Sequence, residues 1–123
     1  MVLDEVLRQE PSERLAVYAV WEPILRSDDE SAARRATTLF PDPRVRNYWI
    51  ASQAVGELFQ APIRLTTEPA WDVYLLYAPG TRWDAATPPA PHAFMHQLRG
   101  RLPAERGLNG PQLLAELRGL LGS

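Results

Sequence analysis

The chain has 123 residues, 46% hydrophobic and 23% charged, which suffices for one globular domain with a buried core. Thirteen basic residues, all Arg, against fifteen Asp and Glu leave a formal net charge of −2, so bulk charge selects neither nucleic acid nor membrane as a partner. The absence of cysteine excludes disulfides, thiolate metal sites and thiol catalysis.

The opening stretch MVLDEVLRQEPSER carries Asp4 and Glu5 and no continuous apolar run, unlike a signal peptide. No segment approaches the roughly 18 apolar residues of a membrane span. A soluble, cytoplasmic protein of one domain, residues 1 to 123, is expected.

Val2, Leu3, Val6 and Leu7 recur at helical spacing, and Asp4 stands four residues before Arg8, so residues 2 to 9 are expected to form an amphipathic helix that Pro11 stops. RLAVYAVW, residues 14 to 21, is nearly continuously apolar and predicts a central strand buried on both faces. Ser27 and Glu30 have capping-box spacing. Asp28 and Asp29 suit a helix N-terminus, and Ala32, Ala33, Ala36, Leu39 and Phe40 supply an apolar stripe that ends at Pro41.

RVRNYWI, residues 44 to 50, predicts a second strand. A second helix after the first strand is expected over residues 51 to 60, with Val55, Leu58 and Phe59 on one side and Gly56 weakening it. WDVYLLYAPG, residues 71 to 80, predicts a third strand closed by Pro79-Gly80. After the proline-rich TPPAPH, AFMHQL at residues 93 to 98 predicts a last strand. The chain closes with a helix capped at Asn109 or Gly110, with Pro111 in its first turn and Leu113, Leu114, Leu117, Leu120 and Leu121 on one face. Helix, strand, helix, strand, helix, strand, strand, helix implies a mixed sheet covered by helices.

That order is the thioredoxin-like one, and three spaced motifs strengthen the likeness. VYAVWEPILRSDD, DPRVRNYW and WDVYLLYAPGTRW together resemble a bacterial group of thioredoxin-like proteins marked by Val-Trp-Glu-Pro-x-Leu after the first core strand. The resemblance spans residues 2 to 121 and implies an α/β, thioredoxin-like fold with a mixed four-stranded sheet flanked by helices. In redox-active members the turn after the first core strand holds Trp-Cys-Gly-Pro-Cys, where a helix N-terminus lowers the attacking thiol's pKa. Here the comparable residues are Trp21-Glu22-Pro23-Ile24-Leu25, and Trp71 and Asp72 stand near the position of the redox proline. Scaffold without thiol–disulfide chemistry is what the resemblance implies.

In open α/β sheets ligands collect at the carboxyl ends of strands, which makes Trp21, Glu22, Pro23, Trp71 and Asp72 the candidate ligand-binding residues. Two indoles and two carboxylates suit a cation or small polar ligand. Equally, the indoles could fill space left by a missing disulfide while Glu22 or Asp72 caps backbone donors. The two carboxylates could also act as a general acid–base pair in a hydrolase or lyase.

His92 and His96 are four residues apart, but on a strand that spacing is about 13 Å, too far to share one metal, so structural roles are expected. Arg34, Arg35, Arg44, Arg46 and Arg64 read as ordinary surface among acids, since no Gly-rich loop accompanies them. No cofactor and no metal is expected. The resulting expectation is a redox-inactive domain binding a partner protein or small ligand at the strand-end turn, with a carboxylate-dependent enzyme and a purely structural subunit as alternatives. Edge strands and surface aromatics such as Tyr48 and Trp83 make a homodimer one form of that partnership.

Overall fold

A computed structural model describes residues 2–23, 30–37, 42–84 and 86–122. The elements in chain order are α1 (Val2–Gln9), β1 (Val17–Trp21), α2 (Glu30–Thr37), β2 (Val45–Trp49), α3 (Ala54–Leu58), α4 (Gln60–Ile63), β3 (Val73–Leu76), β4 (Ala93–His96) and α5 (Gly110–Leu120), with a 3-10 turn at Ala104–Arg106 before α5. No helix among the described residues is long and apolar enough to cross a membrane.

The strands come in the expected order, but the one helix expected over residues 51 to 60 is two short ones, α3 and α4, and the sheet is not the expected one. The strands form two separate two-stranded sheets, β1 parallel to β2 and β3 antiparallel to β4, which overturns the single four-stranded mixed sheet of a thioredoxin-like fold. Asp72, just before β3, takes left-handed backbone (φ 49°), and β3 runs four residues from Val73 and pairs antiparallel with β4.

The β3–β4 hairpin is the true centre. Tyr74, Leu76 and Met95 face a core built with Val6 of α1 and Leu113, Leu114, Leu117 and Leu121 at α5. Val73, Leu75 and Phe94 face a second core of Ile63, Leu65, Ala70, Leu98 and Leu102. Alternation along the strands therefore feeds two apolar layers, as period-two side-chain geometry requires.

Helix α5 forms as its sequence dictates. The Asn109 side chain accepts the Gln112 N–H at 3.0 Å, Pro111 sits in the first turn, and the leucine stripe docks on α1 and the hairpin. Helix α1 is held at its C-terminal end by Arg44, which donates to the carbonyl oxygens of Leu7 (2.8 Å), Ser12 (3.1 Å) and Glu10 while pairing with Asp42 at 2.7 Å. Arg44, expected at the surface, is instead a clasp between two segments.

The β1–β2 sheet stands apart from both cores. Its register is set from Val17↔Val45 to Trp21↔Trp49, closed at the ends by Val17 N–H to Arg44 O (3.0 Å) and Ile50 N–H to Trp21 O (2.9 Å). None of its residues belongs to either core cluster, and burial along β1 merely alternates between half-buried and exposed. The expected central strand buried on both faces is thus corrected. An apolar strand becomes central only when a neighbour pairs on each side, and among the described residues β1 pairs with β2 alone. The Ser27 cap with Asp28 and Asp29, and the helix end at Leu39, Phe40 and Pro41, lie outside the described residues.

Candidate functional site

Glu22 follows β1 directly, and its carboxylate reaches the first turn of α3. Oε1 accepts the N–H of Val55 at 2.8 Å, and the Gly56 N–H is shared between Oε1 (3.2 Å) and Oε2 (3.1 Å). Early helix N–H groups have no partner within the helix, and a carboxylate from elsewhere in the chain satisfies them as an N-cap side chain would. Of the three roles open to Glu22 in the sequence, ligand binding, capping and acid–base chemistry, the geometry displays capping. Pro23 joins the same junction, its carbonyl accepting from Gln53 Nε2 at 3.1 Å.

Gly56 also carries the junction onward. Its carbonyl accepts the Ala70 N–H at 2.9 Å, immediately before Trp71 and Asp72. A Cβ at position 56 would stand 2.7 Å from the Ala70 oxygen, 2.9 Å from Glu22 Oε2 and 3.1 Å from Pro69 Cβ. Only a glycine lets the end of β1, helix α3 and the segment leading to β3 meet this closely. Read as a weak point in a helix, Gly56 is in fact the contact between the two groups of candidate residues. A lone Gly inside a helical pattern was the available signal for a close backbone approach.

The two tryptophans diverge. Trp21 is half-buried, with its indole N–H on Asn47 Oδ1 at 3.0 Å across the β1–β2 register. Trp71 packs on the second core and donates to Glu68 Oε2 at 2.9 Å. Asp72 is exposed, and its carbonyl accepts the Gln97 N–H at 3.0 Å. Of the five candidates, Trp21, Glu22 and Pro23 lie together at the end of β1 and Trp71 and Asp72 just before β3, the two groups linked through the backbone of Gly56 and Ala70.

What β1 and β2 leave open is an aromatic face. Tyr18 is 62% exposed, Val20 43% and Tyr48 45%. The register sets Tyr18 beside Arg46 and Val20 beside Tyr48, and the two tyrosine rings stack with centroids 6.4 Å apart. Trp83, the other expected surface aromatic, is half exposed and lies against Phe59 and Tyr77.

The two histidines have separate environments. His96 is buried; its Nδ1 accepts the Leu98 N–H at 3.0 Å, which leaves Nε2–H to donate to Pro103 O at 2.7 Å. His92 is exposed and lines a cleft of about 700 Å³ with Phe94, Arg106, Glu116 and Gly119. Arg106 and Glu116 were not legible as a pair, since they lie ten residues apart on different elements. Among the described residues no group of three or more His, Asp or Glu side chains could hold a metal ion.

Comparison of the chain with models of protein families, with curated proteins and with solved structures gave no match.

Proposed function

We propose that this chain is a binding domain that docks a partner protein on the exposed face of the β1–β2 sheet, beside the turn at Trp21, Glu22 and Pro23, and performs no thiol–disulfide chemistry. The observation that carries the reading is the patch of Tyr18, Val20 and Tyr48, three large apolar side chains exposed side by side on one sheet face. Exposed apolar side chains clustered in one patch characterise interaction sites, and tyrosine supplies contact area at low entropic cost. Arg46, on the same face, adds a charged residue at its margin.

The acid–base alternative asks Glu22 to act on a substrate, yet both of its carboxylate oxygens are engaged by backbone N–H groups of α3. A base must reach a substrate proton, and a capping carboxylate would have to release the helix first.

The test is a photo-crosslinking amino acid placed at Tyr18 and, as a control, at Arg64, read by mass spectrometry from cells expressing the chain. A discrete adduct from position 18 that is lost on Tyr48→Ser supports the docking face, and its mass tells a second copy from another protein. No adduct from position 18 beyond that of position 64 contradicts it.

A further inference from the structure

Asn109 and Gly110 stand together at the start of α5, and the pair carries a reactivity of its own. With no Cβ on the glycine, its nitrogen closes on the preceding side-chain amide with less steric hindrance than in any other Asn-containing dipeptide. The Gly110 N–H is the first of the helix and has no acceptor within it. Asn109 is exposed to water, the second reactant.

What opposes the reaction is the cap. Asn109 is held at two points: its Oδ1 accepts the Gln112 N–H at 3.0 Å, and its main-chain oxygen accepts the Leu113 N–H at 2.9 Å. Ring closure requires the Gly110 nitrogen to turn toward the Asn109 Cβ about the Cα–C bond. At the ψ of 112° in the cap that nitrogen points away from the side chain. Turning it carries the main-chain oxygen along and breaks the Leu113 bond, while Cγ must also leave Gln112. The reaction therefore waits on opening of the first turn of α5, and that turn is anchored by Leu113 and Leu114 in the first core.

We infer that Asn109 is a site of spontaneous deamidation gated by the α5 cap, and that its isoaspartyl product undoes the docking of the helix. The Gly110 nitrogen bonds to Asn109 Cγ as the Cγ–Nδ2 bond breaks, and ammonia leaves with the amide proton of Gly110. Water then opens the cyclic imide. Attack at Cγ gives aspartate; attack at the main-chain carbonyl carbon gives isoaspartate. Aspartate is still an N-cap residue, and its charge suits a helix N-terminus. Isoaspartate routes the main chain through Cβ and Cγ, which lengthens it ahead of α5 and displaces the acceptors of both capping bonds.

Peptide mapping by mass spectrometry, with fragmentation that separates aspartate from isoaspartate, follows the reaction at mildly alkaline pH. In concentrated urea Asn109 should deamidate at least about tenfold faster than in native buffer, where only the open fraction reacts. Asn47, followed by the bulky Tyr48, is the slow internal reference. Leu113→Ala should move the native rate toward the urea rate. Gly110→Ala, whose Cβ fits at 3.5 Å from Val2 Cγ1, should slow Asn109 in urea as well. After refolding, the isoaspartyl chain should unfold at lower urea than the aspartyl chain, and Asn109→Asp should match the latter. Equal Asn109 rates in urea and native buffer, an unchanged native rate in Leu113→Ala, no slowing in Gly110→Ala, or equal urea midpoints for the two products would overturn the inference.

Discussion

Gly56 shows how a single atom can hold a fold together by being absent. With Glu22 Oε2 and the Ala70 oxygen both within 3 Å of where a Cβ would stand, Gly56→Ala must move backbone, because the Ala70 oxygen cannot rotate away. The expected loss is about 1–3 kcal/mol, the scale of overpacking, measured by urea denaturation. Trp21 makes the opposite case. Its indole is half-buried and outside both cores, so Trp21→Ala should cost about 1–2 kcal/mol, well short of the ~3–5 kcal/mol of a fully buried aromatic. A loss in the larger range would place Trp21 in a core. The sequence made Trp21, Glu22 and Pro23 conspicuous as a turn, and the structure gives each a hydrogen-bond partner there. The importance of Gly56 was hidden because it depends on Ala70, fourteen positions away, and non-local approach leaves no mark on local spacing.

Two elements are fastened by ion pairs that titrate. Hydrogen bonding to Arg44 holds the Asp42 carboxyl below its ordinary range, and hydrogen bonding to Arg106, with Gln112, does the same for Glu116. A carboxyl depressed in the folded state binds its proton more weakly there than in the unfolded chain. Its stabilisation is therefore complete above the ordinary carboxylate value of about 4 and is lost as pH falls through the folded-state values. Arg44 clasps α1 to the segment before β2, with its side chain 13% exposed, so Arg44→Leu should cost about 2–3 kcal/mol at neutral pH. The same substitution should also shrink the difference in stability between about pH 6 and pH 3, since Asp42 loses its partner. Urea melts of both proteins at both pH values check this; an unchanged difference would show that the clasp does not titrate. Elements with local signatures were legible: α5 announces itself by Asn109, Pro111 and the leucine stripe. The strand VYAVW was also legible as a strand, but its burial was not, because central and peripheral strands differ in their neighbours and not in their composition.

At the scale of the molecule, the β3–β4 hairpin with α1, α5 and α4 forms a body with two apolar layers, and β1–β2 is a separate sheet that, among the described residues, contributes to neither. Two-stranded sheets are marginal by themselves. A sheet outside the cores can keep an apolar face open for a partner, and it should also open more readily than the rest. Native-state hydrogen exchange followed by NMR is the most direct test of this arrangement. Amides in the β1–β2 ladder, such as Ala19 and Tyr48, should exchange through openings well below global unfolding, while those of Met95 and Leu117 should exchange only with global unfolding. Equal protection of the two groups, at the free energy of global unfolding, would mean that β1 and β2 belong to the core and would contradict the account.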